Sequence, residues 1–197
     1  MGLMRLGSAM TALALLLSAC GSGPDYYMLP AQARPPVQYP APVSGIVVTE
    51  ISLPSYADAL EIAALQENGA LKLERGVSWA DEPRRALTRH LAAALAARLG
   101  TQVTPDPWPG FSTDPDLRVD VAADRLIGSE GGGVDFEGQY FIVRSSTGSI
   151  FASERFRINV PPQGAGYGGL AAAHARAIET LADQIAARIA GRSAPAS

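Results

Sequence analysis

The chain has 197 residues, 47% of them hydrophobic and 18% charged, with a formal net charge of −3. That length fits one ordinary domain with a tail. Because basic residues are not in excess, the chain is not expected to bind nucleic acid. One cysteine excludes an intramolecular disulfide, and with two histidines it cannot supply the usual zinc ligand sets, so we predict no metal site.

Residues 1–19 have the layout of a lipoprotein signal peptide. Arg5 provides a short basic region, and the apolar run that follows is shorter than the about 20 residues that span a bilayer. The run ends in the residues that signal peptidase would recognise, Leu17, Ser18 and Ala19. We predict cleavage before Cys20, with diacylglycerol on its thiol and a further acyl chain on its amine. The alternative is an ordinary secretory signal with a chance cysteine.

Residues 20–43 are predicted to be the lipid anchor and a proline-rich tether. Gly21, where an Asp would favour the inner membrane, points to the outer membrane. The prolines exclude a helix, and about 20 residues of polyproline would reach roughly 60–70 Å. One part of this stretch does not look like a simple spacer, namely Tyr26, Tyr27 and the two residues after them. Large apolar groups beside an anchor are expected to pack on an edge of the domain.

Residues 44–191 are predicted to form the domain, and 192–197 a disordered tail. Residues 44–53 read as a strand, and Asn68-Gly69 between two apolar runs predicts a hairpin, although 57–66 has helical propensity. A helix with a capping carboxylate at its start is predicted from Asp81-Glu82-Pro83 to Gly100. Its buried stripe consists of Leu87, Leu91, Leu95 and Leu99.

The second half of the domain begins with a short strand at 102–104. An antiparallel meander is predicted for 117–124, 134–144 and 150–160, followed by a helix from about Gly169 to Ala190. The order of elements predicts a single α+β domain, with a mostly antiparallel sheet and two helices packed on one face.

Catalytic residues are not evident. Gly164–Gly169 resembles a dinucleotide loop, but no strand follows it, so we interpret it as the entry to the last helix. Four aspartates, Asp114, Asp116, Asp120 and Asp124, lack calcium-loop spacing and are read as a solvated face. His90 and His174 are expected at surface or boundary positions, because no nucleophile motif accompanies them.

Aromatic residues in predicted loops are the candidates for contact with a protein partner. They are Tyr56, Trp108 and Phe111, together with Tyr26 and Tyr27 beside the anchor, and packing on their own core is an equally good interpretation of the loop positions. Trp79, directly before the first helix, is expected to pack under it.

Several short motifs occur in a particular order along the chain. They are Cys20 in its lipobox, Tyr26-Tyr27-x-Leu29, Leu53-Pro54-x-Tyr56, Val77-x-Trp79-Ala80, Ala96-Ala97-Arg98-Leu99-Gly100 and Tyr167-x-x-Leu170-x-x-Ala173. In this order and spacing they resemble the ABC-type transport auxiliary lipoprotein family, over nearly all of the mature chain.

The resemblance implies a non-enzymatic lipoprotein at the periplasmic face of the outer membrane, in a system that moves lipids between the two membranes. The implied partners are a periplasmic MCE-domain protein and, through it, an inner-membrane permease and an ATPase; family members are also thought to form homo-oligomeric rings. No cofactor is implied beyond the acyl chains on Cys20. The alternatives are a structural or assembly lipoprotein and an envelope hydrolase that uses His90 or His174.

Overall fold

The structure is a computed structural model that describes residues 23–32, 34–35, 37–110, 113–129 and 133–192. The strands, in chain order, are β1 (Asp25–Tyr27), β2 (Gly45–Val48), β3 (Glu61–Leu65), β4 (Leu71–Trp79), β5 (Gln102–Pro105), β6 (Leu117–Gly128), β7 (Val134–Arg144) and β8 (Ile150–Val160). The helices within these ranges are α1 (Pro83–Leu99) and α2 (Gly166–Ile189).

The predicted meander forms one side of the sheet, with β8 at its edge and β6 joined to the remaining strands. β7 pairs antiparallel with β6 on one side and with β8 on the other. Apolar and polar side chains alternate along β7, as period-two patterning requires, and the buried set on its inner face includes Val134, Phe136, Tyr140 and Ile142. The opposite face is exposed and carries charged pairs such as Arg155 with Asp124, at 2.7 Å.

The sheet is mixed, so the prediction of a mostly antiparallel sheet is wrong. On the side of β6 that faces away from β7, β2 pairs with its first residues and β3 touches its end at Gly128, both in parallel. β5 is parallel to β2, and β1 is parallel to β4. Long connections bring these strands together, and a strand's apolar pattern says which face is buried but nothing about the direction of its neighbour.

The hairpin prediction is confirmed. β3 and β4 pair antiparallel, and Gly69 has the left-handed conformation (φ 81°) that the turn requires. The alternative helix does not form, since Glu61–Leu65 is a strand. β4 extends to Trp79, with a register shift opposite Glu61 and Ala63.

Helix α1 buries its predicted leucine stripe and ends at Gly100, whose φ of 66° places it in the left-handed region. The predicted capping carboxylate is wrong: no side chain caps the first turn, because Asp81 accepts hydrogen bonds from Arg85 and from the backbone N–H of Glu82. α2 begins at Gly166, three residues before the predicted start.

Both helices belong to one hydrophobic core with the inner face of the sheet, as predicted. They pack against each other, α1 also contacts β2 and β5, and α2 contacts β7 and β8. Within the part of the chain that the structure describes, neither helix combines the length and hydrophobicity of a bilayer-crossing segment.

Candidate functional site

The segment that leads from β1 toward β2 lies along helix α1. We call the described residues between 27 and 39 the strap. Three hydrogen bonds fasten it from before the helix to its last turn: Ala80 N donates to Tyr27 O (2.7 Å), Gln32 Nε2 donates to His90 O, and Tyr39 N donates to Arg98 O (2.7 Å). The strap is therefore part of the domain.

Tyr39 is the buried end of the strap. Only 3% of its surface is exposed, and burial raises the pKa of its hydroxyl. The expectation that residues 30–43 act as a simple spacer is wrong for this part, because a tether whose far end sits in the core cannot extend by 60–70 Å. The sequence signal that was available is a lone aromatic residue within the proline-rich stretch.

β1 attaches the beginning of the strap to the edge of the sheet. Tyr26 lies opposite Ser78 and Tyr27 opposite Trp79 in the parallel pairing with β4. The Tyr27 ring packs 5.9 Å from that of Tyr167 at the start of α2, whereas Tyr26 is exposed. The predicted packing of this aromatic pair on a domain edge is thus confirmed for Tyr27. A three-residue strand is too short to show periodicity, which explains why the sequence did not reveal it.

The loop aromatics are placed in different surroundings. The Tyr56 hydroxyl accepts a hydrogen bond from Leu126 N (3.3 Å), and Trp108 Nε1 donates to Thr113 O (3.1 Å). The Trp108 ring lies against Gly45, where an added Cβ would come within 2.6 Å of it. Both side chains therefore hold loops onto the domain. Phe111, Cys20 and the residues 17–19 lie outside the described residues.

A small cavity lies beneath the start of α1. Tyr56, Trp79, Leu87 and His174 are among the residues that line it, so Trp79 does sit under the helix as predicted. Its volume of about 20 Å³ holds roughly one water molecule. An acyl chain does not fit, so the cavity is not a lipid site in this conformation.

His174 is a core residue, and the prediction of a surface or boundary position is wrong. Its Nδ1 lies 2.9 Å from Leu170 O, and its ring packs edge-on to Trp79 at 5.2 Å. Burial lowers the pKa of His174. The residue is buried because α2 packs against both the sheet and α1, so more than one stripe of the helix is covered.

The helices are joined by charged residues that the sequence analysis did not identify. Arg98 donates hydrogen bonds from Nε and Nη2 to the two carboxylate oxygens of Asp183, at 2.7 and 3.0 Å. One turn away along α2 and two turns away along α1, His90 Nε2 lies 3.6 Å from Glu179 Oε1. Burial lowers the pKa of this histidine as well. His90 is therefore buried too, contrary to prediction. The available signal was Arg98, a charged residue three positions after Leu95 on the apolar stripe.

These charged and histidine side chains take part in contacts within and between the helices. In the described ranges, no three His, Cys, Asp or Glu side chains are placed to hold a metal ion. Asp120 accepts hydrogen bonds from Arg118 and Thr49, and Asp124 from Arg155, so these aspartates lie in the charged outer face of the sheet. Both histidines are buried in structural contacts.

Two open grooves flank the exposed side of α1. One, of about 570 Å³, lies between the helix and the strap, and the other, of about 450 Å³, lies between the helix and β5. Arg89 and Ala93 border both grooves and form the ridge that separates them. Both grooves are open concave surfaces, a shape that can receive a segment of another molecule.

Comparison with known families decides the relationship of this chain. Residues 27–186 match the family model of the ABC-type transport auxiliary lipoprotein component. The chain belongs to this family. The matched range of the auxiliary lipoprotein begins at Tyr27, the first residue of the strap, and ends within α2, so the family unit includes the strap.

Solved structures share the fold of this auxiliary lipoprotein. A crystal structure of an uncharacterized protein aligns with a TM-score of 0.68 at 18% identity, covering 85% of this chain and 99% of the other. The protein XCC0632 from Xanthomonas campestris, of family DUF330, aligns with a TM-score of 0.57 at 18% identity, covering 86% and 94%. No curated protein matches the chain.

Proposed function

We propose that the protein is a non-enzymatic lipoprotein, anchored through Cys20 at the periplasmic face of the outer membrane, that docks the periplasmic MCE-domain assembly of an intermembrane lipid transport system. In this role it helps to maintain the integrity of the envelope. The observation that carries the proposal is the family match over residues 27–186, which names an auxiliary component of ABC-type transport.

The position of Cys20 supports the anchor. It is the only cysteine of the chain, it directly follows Leu17-Ser18-Ala19, and Gly21 follows it in place of an Asp. Several acyl chains give a firm hold, because each buried methylene contributes roughly 0.8 kcal/mol. β1, which begins five residues after Cys20, then joins this anchor to the edge of the sheet without an intervening long spacer.

The described surface supports a docking role more than a carrier role. The cavity beneath α1 is too small for an acyl chain, and both histidines are buried in packing contacts. The grooves beside α1 remain as open concave surfaces. We propose that the groove between α1 and β5 receives the partner, because the charges on the outer face of the sheet already pair with each other, as Arg157 does with Glu137 at 3.2 Å.

The first experiment is a mild-detergent pull-down of the full-length lipoprotein from its own cells, with mass spectrometry of the proteins retained. Recovery of an MCE-domain protein, together with its permease and ATPase, supports the proposal. Recovery of other envelope machinery, with MCE proteins expressed but absent from the eluate, contradicts it and favours an assembly role.

The docking surface is tested by photo-crosslinking in living cells. A photoreactive amino acid at Ala93, on the ridge between the grooves, is expected to crosslink to the MCE-domain protein. The matched control is Ser153, a small exposed residue on β8 in the outer face of the sheet. Crosslinking from position 153 and not from 93 would place the contact on the sheet and would contradict the use of this groove.

A further inference from the structure

We propose that one corner of the domain, formed by β1 and the β3–β4 hairpin, rests on the bilayer that holds the lipid anchor. We call the exposed apolar side chains Tyr26, Met28, Leu71 and Leu73 the anchor-side corner. The inference rests on the proposed lipidation of Cys20, and it adds an orientation of the domain that neither the family nor the fold supplies.

The length of chain between the anchor and the domain is the first argument. Asp25, the first residue of β1, follows Cys20 by five residues, which span at most about 17 Å when fully extended. The polar zone on each side of a bilayer is itself several ångströms thick, since the full thickness of about 40–45 Å includes a hydrocarbon core of about 30 Å. β1 therefore lies close to the headgroups wherever Cys20 is lipidated.

The direction of β1 is the second argument. Because β1 runs parallel to β4, the chain that precedes Asp25 leads toward the end of β4 that begins at Leu71, beside the turn of the hairpin. The anchor thus approaches the domain from the side of the hairpin. Leu71 and Leu73 project from one face of β4, since they are two residues apart.

The distribution of exposed apolar side chains is the third argument. Seven large apolar residues are exposed in the described ranges, and four of them are those of the anchor-side corner. Tyr26 is 65% and Met28 71% exposed, while Tyr27 between them packs on the core. A tyrosine has an apolar ring and a polar tip, which is the combination enriched at membrane interfaces.

A bilayer is the occupant that these three arguments support together. The corner is apolar, it lies on the anchor side, and the short connection keeps it there at all times. A second copy of the chain or a partner protein could also cover apolar residues, but neither explains why they gather where the anchor arrives. These occupants are separate outcomes of the test.

The test places a single fluorescent probe at chosen sites of the full-length lipoprotein. The thiol of Cys20 is consumed by the acyl-glycerol linkage, so an introduced cysteine is the only reactive thiol of the mature protein. Met28→Cys and Leu71→Cys report on the corner. Each protein is labelled with an environment-sensitive nitrobenzoxadiazole dye and reconstituted in vesicles of phosphatidylethanolamine and phosphatidylglycerol that contain a shallow spin-labelled lipid as quencher.

The matched control is Ile150→Cys. The exposed fraction of Ile150, 64%, is nearly the same as that of Tyr26. Ile150 lies, however, at the opposite end of the sheet. Its partner in β7, Val143, lies opposite Arg118 near the start of β6. The hairpin of the anchor-side corner is at the other end of β6, because β3 meets β6 at Gly128. The two ends are about 33 Å apart at roughly 3.3 Å per residue.

We expect the dyes at positions 28 and 71 to emit at shorter wavelength and to be quenched severalfold more than the dye at position 150. Equal quenching at all three positions, with the protein retained on the vesicles, overturns the orientation and leaves the anchor standing. A blue-shifted dye at 28 and 71 without lipid quenching also overturns it, because a protein then covers the corner. Loss of the unsubstituted protein from the vesicles overturns the anchor itself.

Discussion

The guanidinium of Arg98 and the carboxylate of Asp183 form a two-hydrogen-bond ion pair that joins helix α1 to helix α2 inside the core. Arg98 is 1% exposed, so its charge depends on Asp183 for compensation. Breaking a buried pair from one side leaves such a charge unpaired, whereas replacing both partners by apolar groups does not.

Asp183→Ala is therefore expected to lower the free energy of unfolding by about 3–5 kcal/mol. Urea unfolding followed by circular dichroism measures this. Asp124→Ala is the matched control, because its exposed pair with Arg155 should contribute less than about 1 kcal/mol. The double variant Arg98→Met/Asp183→Leu should be close to wild type. Equal losses in the Asp183 and Asp124 variants would contradict the prediction.

Tyr39→Ala is expected to destabilise the protein by about 3 kcal/mol, because it removes a buried aromatic ring from the core. Tyr26→Ala, at the exposed residue of β1 directly before the strap, should change the free energy of unfolding by less than about 0.5 kcal/mol. Measuring both by urea unfolding tests whether the strap is an integral part of the domain. A Tyr39 variant as stable as the Tyr26 variant would mean that the strap is only a tether.

His174 is expected to make stability depend on pH. Burial lowers its pKa in the folded protein, so between that value and the unfolded value of about 6.5 the unfolded chain binds more protons. The stability that neutral His174 contributes is therefore present above the unfolded pKa and is lost as pH falls through the folded pKa. Between the two values the free energy of unfolding changes by up to about 1.4 kcal/mol per pH unit. His174→Asn should reduce the loss of stability between pH 7.5 and 5.5, as measured by urea titrations at each pH. An unchanged slope would show that His174 does not control it.

Gly138→Ala is expected to destabilise the meander by about 1–3 kcal/mol, through overpacking. A Cβ at this position would lie 2.2 Å from the carbonyl oxygen of Ala122, which belongs to the paired strand and cannot move freely. Gly168→Ala is the control, since nothing lies within 4 Å of its added Cβ and alanine favours the helix. Thermal unfolding should show a lower Tm for the first variant and an equal or higher Tm for the second.

Cys20→Ala is expected to release the protein from membranes. The substitution removes the only proposed attachment point and lies outside the strap, so circular dichroism of the released protein should show the same fold. Fractionation of cells that express the variant, with Ser22→Ala as the control that stays in the membrane, measures the release. A Cys20 variant that still sediments with the outer membrane would contradict lipidation as the sole tether.

Local patterns were enough to identify most elements of the fold. The alternation along β7, the Asn68-Gly69 turn and the leucine stripe of α1 each predicted the structure that forms, because the periodicity of side chains is a local property of strand and helix geometry. The direction of β2 and β5 could not be obtained this way, since it depends on where long connections lead. Order and spacing of short motifs also predicted the family, which the match over residues 27–186 confirms.

What the sequence by itself determined is the α+β class, the two helices, the meander, the family and, through the lone Cys20, a predicted anchor. Only the tertiary structure decided the rest. It buried His90 and His174, paired Arg98 with Asp183, and turned a proline-rich stretch into a strap that ends at Tyr39. The physical reason is the same in each case: burial and pairing depend on which segments of distant chain meet, and α2 meets both the sheet and α1. The family match begins at that strap, where the described chain first touches the core.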